Sequence, residues 1–147
     1  MQYVIIGADG YIGSYLYKRL QADGLKVWGT TRRNPARGDK IFFAMESSGI
    51  QSIEGVDWPQ AVVVICAAQP KIDKCAEDYA AAYQINVART VAVAAEALAK
   101  GAKVLAFSSD QVFDGRQGRY TEEDRKNPLN AYGRMKAEME EQLLRLN

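Results

Sequence analysis

Apolar residues in this chain come in short unbroken runs that alternate with longer segments of helical spacing. The runs predict strands over 2–6, 26–30 ("KVWGT"), 61–66 ("AVVVIC") and 103–107 ("KVLAF"), with a weaker one at 41–44 ("IFFA"). "AVVVIC" has no polar alternation, as expected of a strand covered on both faces of a parallel sheet. Between the runs, 11–22 reads as a helix with Ile12, Leu16 and Leu20 on one stripe, and 130–146 as a final helix. Residues 76–100 read as one long helix, closed by Gly101 at its C-cap. Only 34–60 breaks the pattern, with the turn signals "NP", "RG", "SSG" and "EG". Strands alternating with helices predict βαβ units. The expected fold is an α/β doubly wound parallel sheet of about five strands, helices on both faces, in one domain over 1–147.

Composition narrows the function mainly by exclusion. The 147 residues are 48% hydrophobic and 25% charged with a net charge of +1, an ordinary soluble balance. No basic run offers a footprint for nucleic acid, and no apolar run suffices to span a bilayer. Met1 leads almost directly into the first strand, so no signal peptide is expected. Cys66 and Cys75 suit a reducing cytosol better than a disulfide framework, which makes a cytoplasmic protein the expectation. With zero histidines there is no Ser-His-Asp triad, no Cys-His pair and no histidine metal ligand. Two cysteines alone make no structural zinc site, so no metal is expected. Chemistry falls to Tyr, Lys, Ser, Asp or Glu, or to a bound cofactor.

The stretch "GADGYIG" follows the first strand and opens the first helix, the context in which a glycine fingerprint carries information. Gly7 would permit the tight turn, Gly10 the close approach of a pyrophosphate, and Gly13 the close packing of helix on strand. The phosphates would sit on the free N–H groups of the helix N-terminus. The plain alternative is a glycine-rich turn. After the second strand, where NAD-preferring sites place an acidic residue for the ribose hydroxyls, this chain has "TTRRN". Arg32 and Arg33 would pair with a 2′-phosphate, which favours NADP over NAD. The competing reading is two solvated loop charges.

The last helix carries "YGRMK" on an apolar stripe of Tyr132, Met135, Met139, Leu143 and Leu146. At about 100° per residue, Lys136 falls inside that stripe, either snorkelling at its edge or placed one turn from Tyr132 to lower the phenol's pKa. "FSSDQVF" begins at the end of the fifth strand, the edge where open α/β sheets bind ligands. Ser109 there could donate to a substrate carbonyl, or Ser108 and Ser109 could simply cap a turn.

Together "GADGYIG", "CAAQ", "INVART", "FSSDQVFDG" and "NPLNAYGRMK" resemble the extended short-chain dehydrogenase/reductase superfamily, and within it the dTDP-4-dehydrorhamnose reductases. The resemblance covers most of the chain and implies a Rossmann fold. It implies Ser109, Tyr132 and Lys136 as the catalytic set, and Ser109, Asp110 and Gln111 against a nucleotide-sugar substrate. It implies that Gly7, Gly10, Tyr11, Ile12, Gly13, Ala67 and Ala68 line the dinucleotide, with Lys136 on the nicotinamide ribose. Asn86 would shape the active-site helix and its water relay, and a homodimer is admitted. Three departures stand out. Arg89 replaces a glycine in "INVART". Gln111 replaces the reductases' tyrosine and the glutamate of the related dehydratases; it exchanges no proton, which disfavours dehydration. Family members are about twice as long, with a C-terminal substrate lobe. The expectation is therefore an NADP-dependent reductase or epimerase. Its rival is a non-catalytic dinucleotide-binding protein serving a partner enzyme, as the regulatory β subunit of methionine adenosyltransferase does.

Overall fold

A computed structural model describes residues 1–33 and 39–146, and residues 34–38, within the stretch expected to be irregular, lie outside it. The chain divides into two compact units: residues 1–68 with 92–107, and residues 69–91 with 108–147.

The first unit holds the sheet. Its strands are β1 (Gln2–Ile6), β2 (Lys26–Thr31), β3 (Ile41–Phe42), β4 (Ala61–Ile65) and β5 (Lys103–Ala106). All pairings are parallel and the order is β3-β2-β1-β4-β5. The order reverses between β1 and β4, which makes their carboxyl ends the switch point where ligands of such sheets bind. Val4, Ile5 and Ile6 are all buried, so both faces of β1 are covered. The expected third strand shrinks to two residues, because Phe43 leaves the ladder after its N–H bonds to Thr31 and turns into the core.

Helix α1 (Tyr11–Ala22) buries Gly13, Tyr17 and Leu20, and Ile12 stays about half exposed. The buried face is thus rotated from the expected Ile12–Leu16–Leu20 stripe, with Leu16 only partly buried. The Tyr17 ring causes the rotation. It lies against Gly29, where a Cβ would come within 2.7 Å of it, and packs with Ile5, Ala8 and Val64. A side chain on β2 at that position would push the helix away.

The long helix expected over 76–100 is broken. Instead there are α2 (Ile72–Glu77), α3 (Tyr79–Tyr83), a π-helical turn Gln84–Arg89, and α4 (Thr90–Ala99). Asp78 leaves helical geometry (φ −131°, ψ 76°) and caps α3 by accepting the Ala81 N–H at 3.1 Å. The C-terminal end is as expected. Gly101 has φ +82°, and the N–H groups of Gly101 and Ala102 return to Leu98 and Ala97 in a Schellman arrangement.

Helix α5 (Ala131–Leu144) belongs to the second unit. Met135 and Met139 join Cys75, Ala82, Val87 and Ala131 in its core, with Tyr132 and Leu143 packed at the margin. Among the described residues no helix is long and apolar enough to cross a membrane.

Candidate active site

The glycine stretch forms a compact cradle within the first unit. Gly7 has φ +89°, and its N–H bonds to Thr30 Oγ1 at 3.0 Å. A Cβ on Gly7 would lie 2.8 Å from the Ala67 backbone, so the loop after β4 sits directly against it. A Cβ on Gly13 would fall 2.3 Å from the Gly7 carbonyl oxygen, so helix and turn touch backbone to backbone. Gly10 differs: the nearest atom to its Cβ is Gly7 O at 3.5 Å. Gly10 is also the N-cap of α1, no side chain caps it, and the first turn, with Tyr11 and Ile12 exposed, holds no acidic residue. That leaves an open surface at a helix N-terminus, suited to an anion.

At the end of β2, Arg32 makes an exposed ion pair with Glu46 at 3.7 Å. Arg33 lies near enough to Asp9 to help hold its carboxyl below the usual range, behind larger effects of Lys40 and Thr31. Lys40, 2.6 Å from Asp9, is a third cation here that the sequence pattern did not single out.

The second unit gathers the other expected residues. Lys136 is only 5% exposed. Its ammonium lies 5.8 Å from the Tyr132 ring centroid and 3.9 Å from Met139 Sδ, inside the packed stripe and not snorkelling at its edge. Burial pushes its pKa down, and the Glu140 and Cys75 charges oppose that shift. Tyr132 is half-buried, and its pKa is raised, not lowered as expected. Desolvation dominates, the charges of Cys75 and Asp110 add to it, and a hydrogen bond with Ser109 works the other way. The cation faces the ring, so its field does little for the hydroxyl. Burial also drives the Cys75 thiol up, and Cys66 up to about 11, so neither is an activated nucleophile.

Ser109 does cap a turn, accepting the Gln111 N–H at 3.2 Å at the start of the 3-10 segment Asp110–Val112. Its hydroxyl also lies 3.3 Å from Asp110 Oδ1. Ser108 bonds Glu140, which holds Lys126 at 2.6 Å. Gln111 is committed to structure: its Oε1 accepts from Asn130 Nδ2 at 2.8 Å while Asn130 Oδ1 caps α5 by accepting from Gly133 N–H at 2.8 Å. The backbone of this turn rests on Gly133, where a Cβ would lie 2.1 Å from Gln111 O. Gly133→Ala should therefore displace Ser109 relative to Tyr132 and cost about 3 kcal/mol or more, readable by chemical denaturation. A variant as stable as the parent would contradict this contact.

Asn86 is buried in the π-helical turn. Its amide pairs with both backbone groups of Gln69, accepting from N–H at 2.8 Å and donating to O at 3.0 Å, and it reaches towards Cys75 and Met135 sulfur. Gln69 directly follows Ala68 in the chain, and Asn86 holds it within the second unit. Arg89, where a glycine was expected, ends the same turn half-buried.

The family model described as the RmlD substrate binding domain matches residues 1–147. The chain belongs to this family. It is 36% identical over 144 residues to methionine adenosyltransferase 2 subunit beta of Bos taurus, covering 98% of this chain and 43% of that protein. Among solved structures it is similar to MoeE5 in complex with UDP-glucose and NAD, with TM-score 0.86 and 25% identity over 99% of this chain and 49% of that one. It is also similar to the dTDP-4-dehydrorhamnose reductase of Bacillus anthracis in complex with NADP, with TM-score 0.81 and 26% identity, covering 100% of this chain and 51% of that one. The expected resemblance and the Rossmann-type fold are thus both found, and the chain spans about half the length of these relatives.

Proposed function

We propose that this chain is the dinucleotide-binding part of an NADP-dependent reductase or epimerase acting on a nucleotide-linked keto-sugar. The observation that carries the reading is Lys136, a cation buried against the Tyr132 ring in the same unit as Ser109. Burying an ammonium is costly unless it is paired and hydrogen-bonded, and burial already holds the Lys136 pKa down, so a lysine at this position calls for a role. The resemblance to reductases and to nucleotide-sugar enzymes supports the same reading.

The cradle fits a dinucleotide by its own geometry. A Cβ on Gly10 would occupy space that is otherwise open, and the uncapped N-terminus of α1 offers N–H groups to a pyrophosphate. A nicotinamide cofactor, if bound by this cradle, would supply hydride. Tyr132, a phenol protonated at neutral pH and held more firmly so by burial, would give the proton to the sugar oxygen. Ser109 bonds that oxygen and Tyr132 at once, orienting both. Lys136, buried against the ring, would hold the nicotinamide ribose, the task the family resemblance implies for it. Asn86 fixes the backbone of Gln69 within the second unit.

A second reading follows from the likeness to a methionine adenosyltransferase subunit: a dinucleotide-binding partner of another enzyme. Turnover of a nucleotide-linked keto-sugar by the purified protein separates the two, since the second reading predicts cofactor binding with none.

Cofactor choice is testable on this chain alone. NADP is expected to bind more tightly than NAD by calorimetry, and Arg33→Ala to weaken NADP about tenfold through loss of a charge-assisted phosphate contact. Arg32→Ala should do less, because Arg32 already leans on Glu46. Equal affinities for the two cofactors in the parent would refute the NADP preference.

A further inference from the structure

Asp9 occupies a variable position of "GADGYIG", between Gly7 and Gly10, and has no part in the reading above. Its carboxylate is nevertheless tightly held. Oδ1 accepts from Lys40 Nζ at 2.6 Å, and Oδ2 accepts from Thr31 Oγ1, on the last residue of β2. Both side chains of the ion pair are 26% exposed. Thr31 Oγ1 also accepts the Arg33 N–H at 2.9 Å, so one hydroxyl ties the arginine's backbone to Asp9. Lys40 is fixed from below. Its neighbour Asp39 accepts from the Tyr17 hydroxyl at 2.8 Å and from Gln21 at 3.1 Å, and the Lys40 ammonium stands 5.8 Å over the Tyr17 ring. The buried Tyr17 that sets the face of α1 thus also sets the position of this cation.

The end of the second strand is where a sheet of this type reads the adenosine ribose: a carboxylate accepts the 2′-hydroxyl, a guanidinium receives a 2′-phosphate. Here β2 ends in "TTRR" with no acid of its own, and the glycine loop delivers one to the same place. Resting on the dinucleotide reading, we propose that Asp9 is a specificity-determining residue that opposes the 2′-phosphate and accepts the 2′-hydroxyl. An arriving phosphate meets a carboxylate already paired with Lys40, one of the cations that would otherwise receive it. It must separate that pair or bear the repulsion. A ribose hydroxyl meets an acceptor in place. The arginines tilt the site towards NADP and Asp9 tilts it back, so the protein takes either cofactor with a modest preference.

The test is calorimetry on the chain with NADP, NAD, adenosine 2′,5′-bisphosphate and 5′-AMP, with melting temperatures to confirm folding. Asp9→Asn removes the charge and keeps an acceptor for Thr31. It should raise affinity for NADP and the bisphosphate about tenfold, the scale of a close charge contact, and leave or weaken that for NAD and 5′-AMP. Asp9→Ser should move the ratio the same way, which keeps the test sound if the asparagine variant folds poorly. Lys40→Met should weaken the two 2′-phosphorylated ligands about tenfold and spare the others. Folded Asp9 variants whose NADP/NAD ratio stays within about threefold of the parent would overturn the assignment, while the dinucleotide reading stands. If no ligand binds any form, the dinucleotide reading falls and Asp9 with it.

Discussion

Valine at Gly10 should abolish dinucleotide binding and leave a folded protein, whereas alanine at Gly13, the smaller change, should damage the fold itself. The difference lies in what each new side chain meets. Gly10 has β-region backbone (φ −71°, ψ 168°) that valine adopts without strain, and its Cβ would make only an ordinary contact at 3.5 Å. The expected cost is about 1 kcal/mol, from a poorer N-cap residue. The valine methyls would then fill the approach to the N–H groups of α1, and affinity for NADP should fall by about a hundredfold or more, the loss of roughly 3 kcal/mol of pyrophosphate contacts. At Gly13 a single methyl would sit 2.3 Å from Gly7 O and 3.0 Å from Gly7 C, both backbone atoms with no freedom to move aside. Overpacking of that kind costs about 3 kcal/mol or more, a large part of a domain's total stability. Thermal melts with and without NADP read both effects. Undiminished NADP binding by Gly10→Val would remove the cradle from the argument, and a parent-like melt for Gly13→Ala would remove the packing role.

The placement of those two glycines was legible because it is local: a turn, an N-cap and a helix start that are contiguous in the chain. The strands were legible for a similar reason, since uninterrupted apolar runs such as "AVVVIC" have few other places to go. What stayed hidden depends on partners distant in sequence. The face of α1 is set by Gly29 on β2, 12 residues beyond Tyr17, because only a bare backbone there admits the ring. The break at Asp78 and the π-helical turn at Gln84–Arg89 lie in "DYAAAYQINVAR", whose many alanines give the apolar pattern no strong phase. The turn's buried feature is the Asn86 pairing with Gln69, which only the folded chain reveals. Gln111 could be named as a substituted position, but not as a brace for the α5 cap, since that needs Asn130 to serve two partners. Spacing alone does not give the sign of the Tyr132 shift: four residues on a helix bring the lysine to the ring face, and desolvation of the phenol sets the direction.

Lys136→Met should make the protein more stable and less functional at the same time. The ammonium is buried in a stripe with Met135 and Met139, and its folded pKa lies below the unfolded 10.5 because burial disfavours the charge. A methionine of similar length would fill the space without that cost, and the variant should melt roughly 3–6 °C higher at pH 7. The pH dependence carries a definite sign. A lysine whose pKa is depressed on folding binds its proton more weakly in the folded state, so the parent gains stability as pH rises from the folded value towards 10.5. The gap between variant and parent should therefore be widest at neutral pH and close as the solution becomes alkaline. Tyr132 acts in the opposite sense: its pKa is raised above 10.0, and its stabilising share is present below that value and lost above it. Tyr132→Phe keeps the ring over the ammonium and removes only the hydroxyl, so its melt at neutral pH should stay near the parent's while that alkaline loss disappears. If the proposed reductase reading holds, the same change should cut turnover about 10²–10⁴-fold with little change in cofactor affinity, the usual worth of a positioned proton donor. Lys136→Met should reduce both turnover and affinity. A packed lysine with no task predicts neither kinetic loss. If Lys136→Met melts below the parent at pH 7, the ammonium stabilises the fold, and the case for a cation held there for catalysis collapses with it.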